Sequence, residues 1–562
     1  MFSRFPACAC GFLLLAACAA PPQTAEATMS DATADVPETA GTEFPDVSAL
    51  PETSGGDLLE VSALPDGAGG EFPDVSALPE TAGGDLLEVF ALPDGAGGEF
   101  PDVSALPDAA ATDVDAATDV PDAAAPSCTL AALIAALQAD DAAAVAACGM
   151  QYDMPICDGT QCLFIVVAPG AKTVAVDGEW SGWTVDTPLK YAAKCGVWWA
   201  VLPLQVGKKL EYKVKLDGAW ALDPSNPHFA WNTYGPNSAI YGVNQSRLRR
   251  IAAVASPQLG NTRDVYVYLP AAYFQQPDAH FPVLYLQDGF NVYTNPKAPF
   301  GSWNVEQTAD ALMAAGEVLP VIFVGIDTAD RDHEYVYAPL DIAGTNYDPK
   351  LPQYTAFLTD TLKPLVDKLL RTLPDRLHTA MGGSSLGGLS AMWIGWTQWQ
   401  TFGLVASFSG AYWIGEPGAV WNGGKSSVGP AMRTLIADKS KAPPVGSLRI
   451  YMDSGDTDFS NVVSYDGDAW EYSDWTRNAL ITAGWDTRAE WQPTTNLPLT
   501  TPIAKVPSIA WTAAPPQGWV AYLQPSHNLF DCVGHGQQHN EAAWSQRFGA
   551  MLRFLWPGPK LQ

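Results

Sequence analysis

The chain has 562 residues, of which 47% are hydrophobic and 16% are charged, and its formal net charge is −31. This length is too great for one ordinary domain, and the acidic charge argues against a protein that binds nucleic acid. Residues 24–126 contain 23 Asp or Glu and no Lys or Arg. The acidity therefore belongs mostly to this segment and says little about substrates of the remaining chain.

Residues 1–18 are predicted to be a lipoprotein signal peptide. Arg4 precedes a short apolar run that is too short to span a bilayer stably. The run ends in Leu15-Ala-Ala-Cys18, which resembles the lipobox of bacterial lipoproteins and implies a lipid on Cys18 after cleavage. A plain signal peptide with an incidental cysteine is the alternative. We expect an exported protein anchored to a membrane, in the periplasm or at the surface of a bacterium.

Residues 19–126 contain an internal repeat. The sequence Glu-Phe-Pro-Asp-Val-Ser-Ala-Leu-Pro begins at Glu43, Glu71 and Glu99, which is a period of 28 residues. Such a period can indicate a solenoid. Each copy, however, contains proline, Gly-Gly and many charges but few large apolar residues, so it cannot form a core. We predict a disordered acidic linker.

The cysteines after the signal peptide predict disulfides, because they form an even set in an exported chain. Fifteen pairings are possible for six cysteines. One scheme closes a hairpin with Cys157–Cys162, clamps a helix with Cys128–Cys148 and ties two domains together with Cys195–Cys532. A zinc site is disfavoured because the chain has no CxxC motif and no histidine that clusters with these cysteines.

The next two segments differ in pattern. Residues 127–161 are Ala-rich and predict a short helical leader. Residues 162–246 contain short alternating strands, which predict a β-sandwich. Their motifs Asp177–Trp183, Tyr212–Trp220 and Asp223–Pro227 resemble the early-set immunoglobulin-like domains, including the glycogen-binding type (carbohydrate-binding module family 48) and the N-terminal domain of enterochelin esterases.

Two tryptophans of this domain are candidates for carbohydrate binding. Trp180 and Trp183 flank a turn, and exposed indole rings stack well on sugar rings. The alternative is that both rings pack in the core or between domains.

Residues 247–562 alternate buried-strand runs with helical patterns, which predicts a mostly parallel sheet flanked by helices. Within it, Gly383, Ser385 and Gly387 form a G-x-S-x-G motif between a strand-like and a helix-like segment. This context is typical of the nucleophile elbow of an α/β-hydrolase. The elbow exposes the serine hydroxyl and directs the Leu386 N–H at an oxyanion.

A serine nucleophile needs a base and an acid, in the chain order Ser, Asp or Glu, His. Asp453, Asp456 and Asp458 follow a later strand. We favour Asp458 because it lies deepest in the loop after the strand, with Asp456 as the next choice.

The base is predicted in the loop before the last helix. His539 is favoured over His535 and His527 because it immediately precedes that helix. The second oxyanion donor is predicted to be the N–H of Phe290, in the loop after an early strand.

Segments across residues 250–560 resemble the esterase family that includes esterase D, feruloyl esterases, enterochelin esterases and antigen 85 mycolyltransferases. The matching segments are Tyr285–Asn291, Val324–Asp327, Arg331, Glu334–Tyr335, Gly382–Gly388, Ser409–Tyr412, Gly455–Asp458 and His539–Trp544. The resemblance implies an α/β-hydrolase fold, a catalytic triad of Ser385, Asp458 and His539, and an oxyanion hole of the Phe290 and Leu386 amides. It implies no metal and no organic cofactor. The segment 490–530 is longer than usual, which weakens inference about the substrate.

The sequence therefore predicts an exported serine carboxylic-ester hydrolase acting on acyl or hydroxycinnamoyl esters of carbohydrates, small or polymeric. One alternative is a siderophore trilactone esterase, for which basic residues are expected near the pocket; the candidates are Lys425, Arg433, Lys439, Lys441 and Lys505. Others are an acyltransferase and a carbohydrate-binding surface lipoprotein with an inactive esterase domain. No nucleic-acid partner is expected, and the oligomeric state stays open.

Overall fold

The structure, a computed structural model, describes residues 128–148, 154–207, 209–342, 344–421, 424–426, 429–460, 467–485, 528–534 and 536–560. The predicted signal peptide with Cys18 and the predicted linker 19–126 lie outside these residues. Among the described helices, none is both long enough and apolar enough to cross a membrane.

The N-terminal described part contains two packed antiparallel sheets. One has the strand order β1-β2-β6-β5 and the other β4-β3-β7-β10-β9, with β8 paired to β7. The apolar side chains of both inner faces form a single core, so the sheets make a β-sandwich. The strands are β1 (Ile156–Cys157), β2 (Cys162–Val166), β3 (Val174–Gly178), β4 (Thr187–Pro188), β5 (Lys190–Ala192), β6 (Val197–Leu202), β7 (Leu210–Leu216), β8 (Ala219–Ala221), β9 (Phe229–Asn232) and β10 (Gly235–Ile240).

The Ala-rich leader contributes two helices, α1 (Leu130–Gln138) and α2 (Ala142–Ala147). The side chain of Asp141 caps α2 by accepting hydrogen bonds from two backbone N–H groups. Leu133 and Leu137 of α1 belong to a core cluster with residues of β2 and β6 that face away from the other sheet. The leader therefore covers the outer face of the sandwich.

Two of the three expected disulfides are present, Cys128–Cys148 and Cys157–Cys162. The third expectation is wrong, because Cys195 and Cys532 are both free thiols. Cys532 is fully buried, and its sulfur lies 3.4 Å from the hydroxyl of Tyr451. Its side chain is thus used in the core of the C-terminal domain and does not bridge the domains.

The C-terminal described part is built on a sheet of eight strands in the order β11-β12-β14-β13-β17-β18-β21-β22. The strands β14, β13, β17, β18, β21 and β22 run parallel to one another. β12 instead pairs antiparallel with both of its neighbours, β11 and β14. A small antiparallel sheet, β16-β15-β20-β19, lies apart. The strands are β11 (Arg247–Ser256), β12 (Asn261–Leu269), β13 (Val283–Gln287), β14 (Ile322–Ile326), β15 (Leu340–Ile342), β16 (Thr345–Tyr347), β17 (Thr379–Ser384), β18 (Leu404–Phe408), β19 (Val420–Trp421), β20 (Gly424–Ser426), β21 (Arg449–Gly455) and β22 (Leu529–Gly534).

Both faces of this sheet are covered. Tyr285 of β13 enters one hydrophobic core, whereas its neighbours Leu284 and Leu286 enter another. Burial on both faces explains why the central strands are continuous apolar runs. The arrangement confirms the predicted α/β-hydrolase fold. Its helices are α3 (Ala271–Gln275), α4 (Gly289–Val292), α5 (Val305–Ala314), α6 (Arg331–Glu334), α7 (Leu351–Phe357), α8 (Lys363–Leu369), α9 (Leu386–Thr397), α10 (Met432–Ala437), α11 (Trp470–Thr482) and α12 (Glu541–Leu555).

The helix α9 packs closely against β18 at Gly395, where the glycine leaves no room for a side chain. A Cβ atom added to Gly395 would overlap Cγ2 of Val405 in β18. We expect Gly395→Ala to destabilise the protein by roughly 1–3 kcal/mol, since the core must shift to accept the methyl group. Thermal unfolding would measure this loss. Gly207→Ala is the control, because a Cβ there meets no atom within 4 Å. Equal melting temperatures for the two variants would contradict this packing.

Candidate active site

Ser385 occupies the turn between β17 and α9 in a strained conformation. Its φ is 57° and its ψ is −122°, a region that a residue with a side chain rarely adopts. The Ser385 N–H donates to the carbonyl of Phe408 (3.0 Å), and the Ser385 carbonyl accepts from the Ala411 N–H (2.9 Å). Hydrogen bonds to the neighbouring strand and its loop therefore fix the strained turn from both sides.

The two glycines of the motif are required by close packing. A Cβ on Gly383 would lie 2.7 Å from Cγ of Gln287, and one on Gly387 would lie 3.0 Å from Cβ of the same residue. Gln287 cannot easily move, because its side chain donates to Ser390 (2.8 Å) and accepts from Tyr354 (2.6 Å). The elbow is thus held against a fixed side chain.

His539 lies in the loop between β22 and α12, and its Nδ1 hydrogen-bonds the carboxylate of Asp468. An acid at Nδ1 fixes the tautomer in which Nε2 is the basic nitrogen. The Asp468 carboxylate is held in turn by the Ser409 hydroxyl (2.6 Å) and the Gly455 N–H. The other two histidines considered as bases, His527 and His535, lie outside the described residues.

Asp468 thus stands where the sequence analysis placed Asp458. The Asp458 carboxylate accepts the Ser460 N–H (2.8 Å), which caps a local turn. The Asp456 carboxylate accepts the Gly536 N–H (2.8 Å), and Asp453 pairs with Arg547 (2.9 Å).

The backbone explains how the later residue Asp468 comes to contact His539. Asp468 has a φ of 53° in the turn before α11, and this turn brings its carboxylate back over the end of β21. Space for it exists because Gly455 has no side chain, and a Cβ there would lie 2.8 Å from the carboxylate. The positive φ of a non-glycine residue ten positions beyond Asp458 has no clear signature in the sequence.

The sheet order brings these loops to one edge. Ser385 follows β17, Asp468 follows β21 and His539 follows β22, and all three strands are parallel. The loop after β18 lies between them. Its Ser409 contacts Asp468, and its Ala411 contacts Ser385. Residues at this edge are where ligands bind in open α/β sheets.

The predicted oxyanion donors lie on two helices. Leu386 is the first residue of α9, where N–H groups have no partner within the helix. Phe290 lies in α4. Burial raises the pKa of Asp327, which follows β14, to about 7, with further contributions from Asp264 and Asp288. The role of the Phe290 N–H as the second donor stays a prediction.

A polar cluster supports the loop after β13. Asp288 forms a two-pronged ion pair with Arg331, at 2.8 and 3.1 Å. Asn291 donates to Glu541 (3.1 Å) at the start of α12, two residues after His539. Burial raises the pKa of Glu541 to about 7, and the charge of Asp288 adds to the shift. The cluster therefore joins the oxyanion loop to the histidine loop.

The two candidate sugar-binding tryptophans have different environments. Trp180 packs against Phe164 (5.8 Å between ring centroids) and Tyr212 (6.1 Å) and is partly buried against the sandwich core. These contacts favour the packing alternative for Trp180. Trp183, which is half-buried, lies 6.0 Å from Trp220, which is 47% exposed. Trp220 was not one of the predicted sugar-binding residues.

The middle part of the chain matches a known protein family. Residues 256–489 match the family described as "Putative esterase". This segment includes Ser385 and Asp468 but ends before His539. The match supports the predicted class of enzyme, a carboxylic-ester hydrolase.

Individual relatives are distant. The iron(III) enterobactin esterase of Dickeya dadantii is 25% identical over 224 residues, which are 38% of this chain and 46% of that protein. The aligned segments cover 33% to 61% of the length of the curated relatives that the chain matches.

Two solved structures show partial similarity. A ferulic acid esterase has 21% identity and a TM-score of 0.37, over 56% of this chain and 99% of its own. The enterobactin esterase of Shigella flexneri has 18% identity and a TM-score of 0.35, over 71% of this chain and 94% of its own. At these values the two structures carry no argument about the substrate.

Glu541 gives a prediction about pH. Its raised pKa means that the folded state holds the proton more tightly than the unfolded state, so stability falls as pH rises from about 4.5 towards 7. Glu541→Gln mimics the protonated form and should be more stable than the wild type at pH 8, by up to about 3 kcal/mol. At pH 4, below the pKa of the unfolded state, the two proteins should unfold nearly alike. Chemical denaturation at both pH values measures this, and a pH-independent difference would contradict it.

Proposed function

We propose that this chain is a serine esterase in which Ser385, His539 and Asp468 form the catalytic triad. The observation that carries the proposal is the strained turn at Ser385, inside a segment that matches an esterase family. A strained backbone persists only where the surrounding structure imposes it, and such residues cluster at active sites. The His539–Asp468 contact at the same sheet edge supports the assignment.

In the proposed mechanism, the Ser385 hydroxyl attacks the ester carbonyl while Nε2 of His539 accepts its proton. Asp468 stabilises the imidazolium that forms. His539 then returns the proton to the leaving alcohol, and an acyl-enzyme remains on Ser385. Water attacks the acyl-enzyme with His539 again as base, which releases the acid and restores the serine.

The negative charge on the tetrahedral intermediate needs donors that are fixed in advance. The Leu386 N–H at the start of α9 is one proposed donor, and the Phe290 N–H is the other.

The proposed substrates are acyl or hydroxycinnamoyl esters of carbohydrates. Trp220, which is exposed and lies beside the half-buried Trp183 on the sandwich, supports sugar binding, because indole faces stack on sugar rings. A siderophore trilactone is the second candidate, on the strength of the Dickeya relative's name. Arg433, one of the basic residues considered for it, forms an ion pair with Glu416, which offsets its charge. Lys505 lies outside the described residues, as do the contacts of the Lys425 side chain.

Two other proposals concern the whole chain. An acyl-enzyme that meets an alcohol in place of water gives an acyltransferase. A surface lipoprotein that binds carbohydrate through an inactive esterase domain belongs to a different class, and the close His539–Asp468 contact argues against it.

We also propose export and anchoring through a lipid on Cys18. Cys18 itself lies outside the described residues. The disulfides Cys128–Cys148 and Cys157–Cys162 support export, because such bonds persist in oxidising compartments.

The function is tested by ester turnover. The purified protein should hydrolyse p-nitrophenyl acetate and methyl ferulate, and Ser385→Ala should lose at least about 10³-fold in kcat because the nucleophile is gone. A catecholate trilactone is assayed beside these two esters, and a higher kcat/KM for the trilactone would favour the siderophore esterase. Absence of turnover on every ester would refute the esterase proposal.

The identity of the acid is tested by a matched pair of variants. Asp468→Asn should lower kcat by roughly 10²–10⁴-fold, because the amide no longer fixes the required tautomer of His539. Asp458→Asn, in the loop that Gln538 also contacts, should stay within about threefold of the wild type. The reverse ranking in steady-state assays would restore Asp458 as the acid.

A further inference from the structure

Behind the His539–Asp468 pair lies the fully buried guanidinium of Arg547, on α12. Its Nε is 2.9 Å from the Asp453 carboxylate, and its Nη1 donates to the side-chain oxygen of Gln537 (2.5 Å). Its Nη2 donates to the Ser409 hydroxyl oxygen (2.9 Å) and lies 3.9 Å from the Asp468 carboxylate. This side chain takes no part in the chemistry described above.

Ser409 connects Arg547 to Asp468, and the direction of its hydrogen bonds can be assigned. The hydroxyl has one proton and two lone pairs. Arg547 and the indole N–H of Trp544 (3.0 Å) are donors only, so they take the lone pairs. The proton is left for the Asp468 carboxylate at 2.6 Å. Ser409 therefore has one orientation open to it.

The backbone of Ser409 is also strained, with a φ of 43°. Its N–H donates to the carbonyl and the carboxylate of Asp453, each at 3.0 Å. Asp453 in turn forms the ion pair with Arg547. The same guanidinium thus fixes both the backbone and the side chain of Ser409.

Removal from water costs a carboxylate far more than it costs a neutral group. The side chains of Asp453 and Asp468 are both fully buried, and Arg547 lies between them. A fixed cation at this place offsets that cost for both carboxylates.

We infer that Arg547 and Ser409 are positioning residues for the catalytic acid: Arg547 holds Ser409, and Ser409 holds the Asp468 carboxylate against His539. The inference rests on the proposed function. It predicts a loss in the chemical step without a loss in substrate binding, because neither side chain has a described contact with Ser385 or the oxyanion loop.

The test uses the full-length protein with p-nitrophenyl acetate. Ser409→Ala should lower kcat by about 10- to 100-fold, the size of effect expected when a catalytic group is slightly misplaced, with KM within about twofold. Arg547→Met should show the same pattern, and Arg547→Lys should recover part of the loss because it keeps the charge. Arg553→Met is the control, because Arg553 lies on the same helix, α12, but pairs with Glu317 (2.7 Å), and its kcat should stay within about twofold of the wild type.

A double-mutant cycle separates positioning from general destabilisation. In the Asp468→Asn background, Ser409→Ala should cost less than about threefold further, because both act through the same carboxylate. Multiplicative losses in the cycle would overturn the inference, as would a kcat of Ser409→Ala equal to that of the wild type. If Arg547→Met does not fold, the kcat of Ser409→Ala still tests the inference. A wild-type protein inert towards all esters would refute the proposed function and this inference together.

Discussion

The packing of the elbow on Gln287 is the constraint on which the candidate site depends. A Cβ atom added to Gly383 or Gly387 would lie only 2.7 or 3.0 Å from this side chain. Gln287 is itself fixed by Tyr354 and Ser390. The turn therefore has no room to relax, and Ser385 stays at a φ that an unconstrained serine would leave. The strain is thus a property of three strands and two helices together, and it does not reside in the motif alone.

The same edge of the sheet carries a second rigid unit on the side of the acid. Ser409 follows β18, and it receives donors from α12 while it donates to the carboxylate that follows β21. Asp468 is thereby held by short polar contacts from the loop after β18, which lies between the strands that precede Ser385 and Asp468. Two sets of contacts, the packing of the elbow on Gln287 and the ionic contacts of Arg547, converge on the proposed triad, and this agrees with the need of catalysis for fixed geometry.

The sequence predicted the parts that depend on local pattern. The parallel sheet follows from apolar runs that alternate with helices, and the elbow follows from the spacing of its glycines around Ser385. Asp468, which we propose as the acid in place of Asp458, could not be predicted because its position depends on a left-handed turn and on the empty space at Gly455, which are properties of the folded chain. Cys532 was misassigned for a similar reason, since the even number of cysteines carries no information about which side chain faces the core.

The β-sandwich also packs against the hydrolase domain. Phe229 of β9 lies in a core cluster with residues of the hydrolase sheet. Its neighbour Trp231 packs 5.4 Å from Phe290, on the loop of the proposed oxyanion donor, and 5.5 Å from Tyr266. Tyr266 in turn donates to Asp327 (3.4 Å). Aromatic contacts of this kind are worth about 0.5–1.5 kcal/mol each beyond simple burial. The sandwich therefore supports the loop after β13, which carries Phe290, through packing that the hydrolase sheet shares.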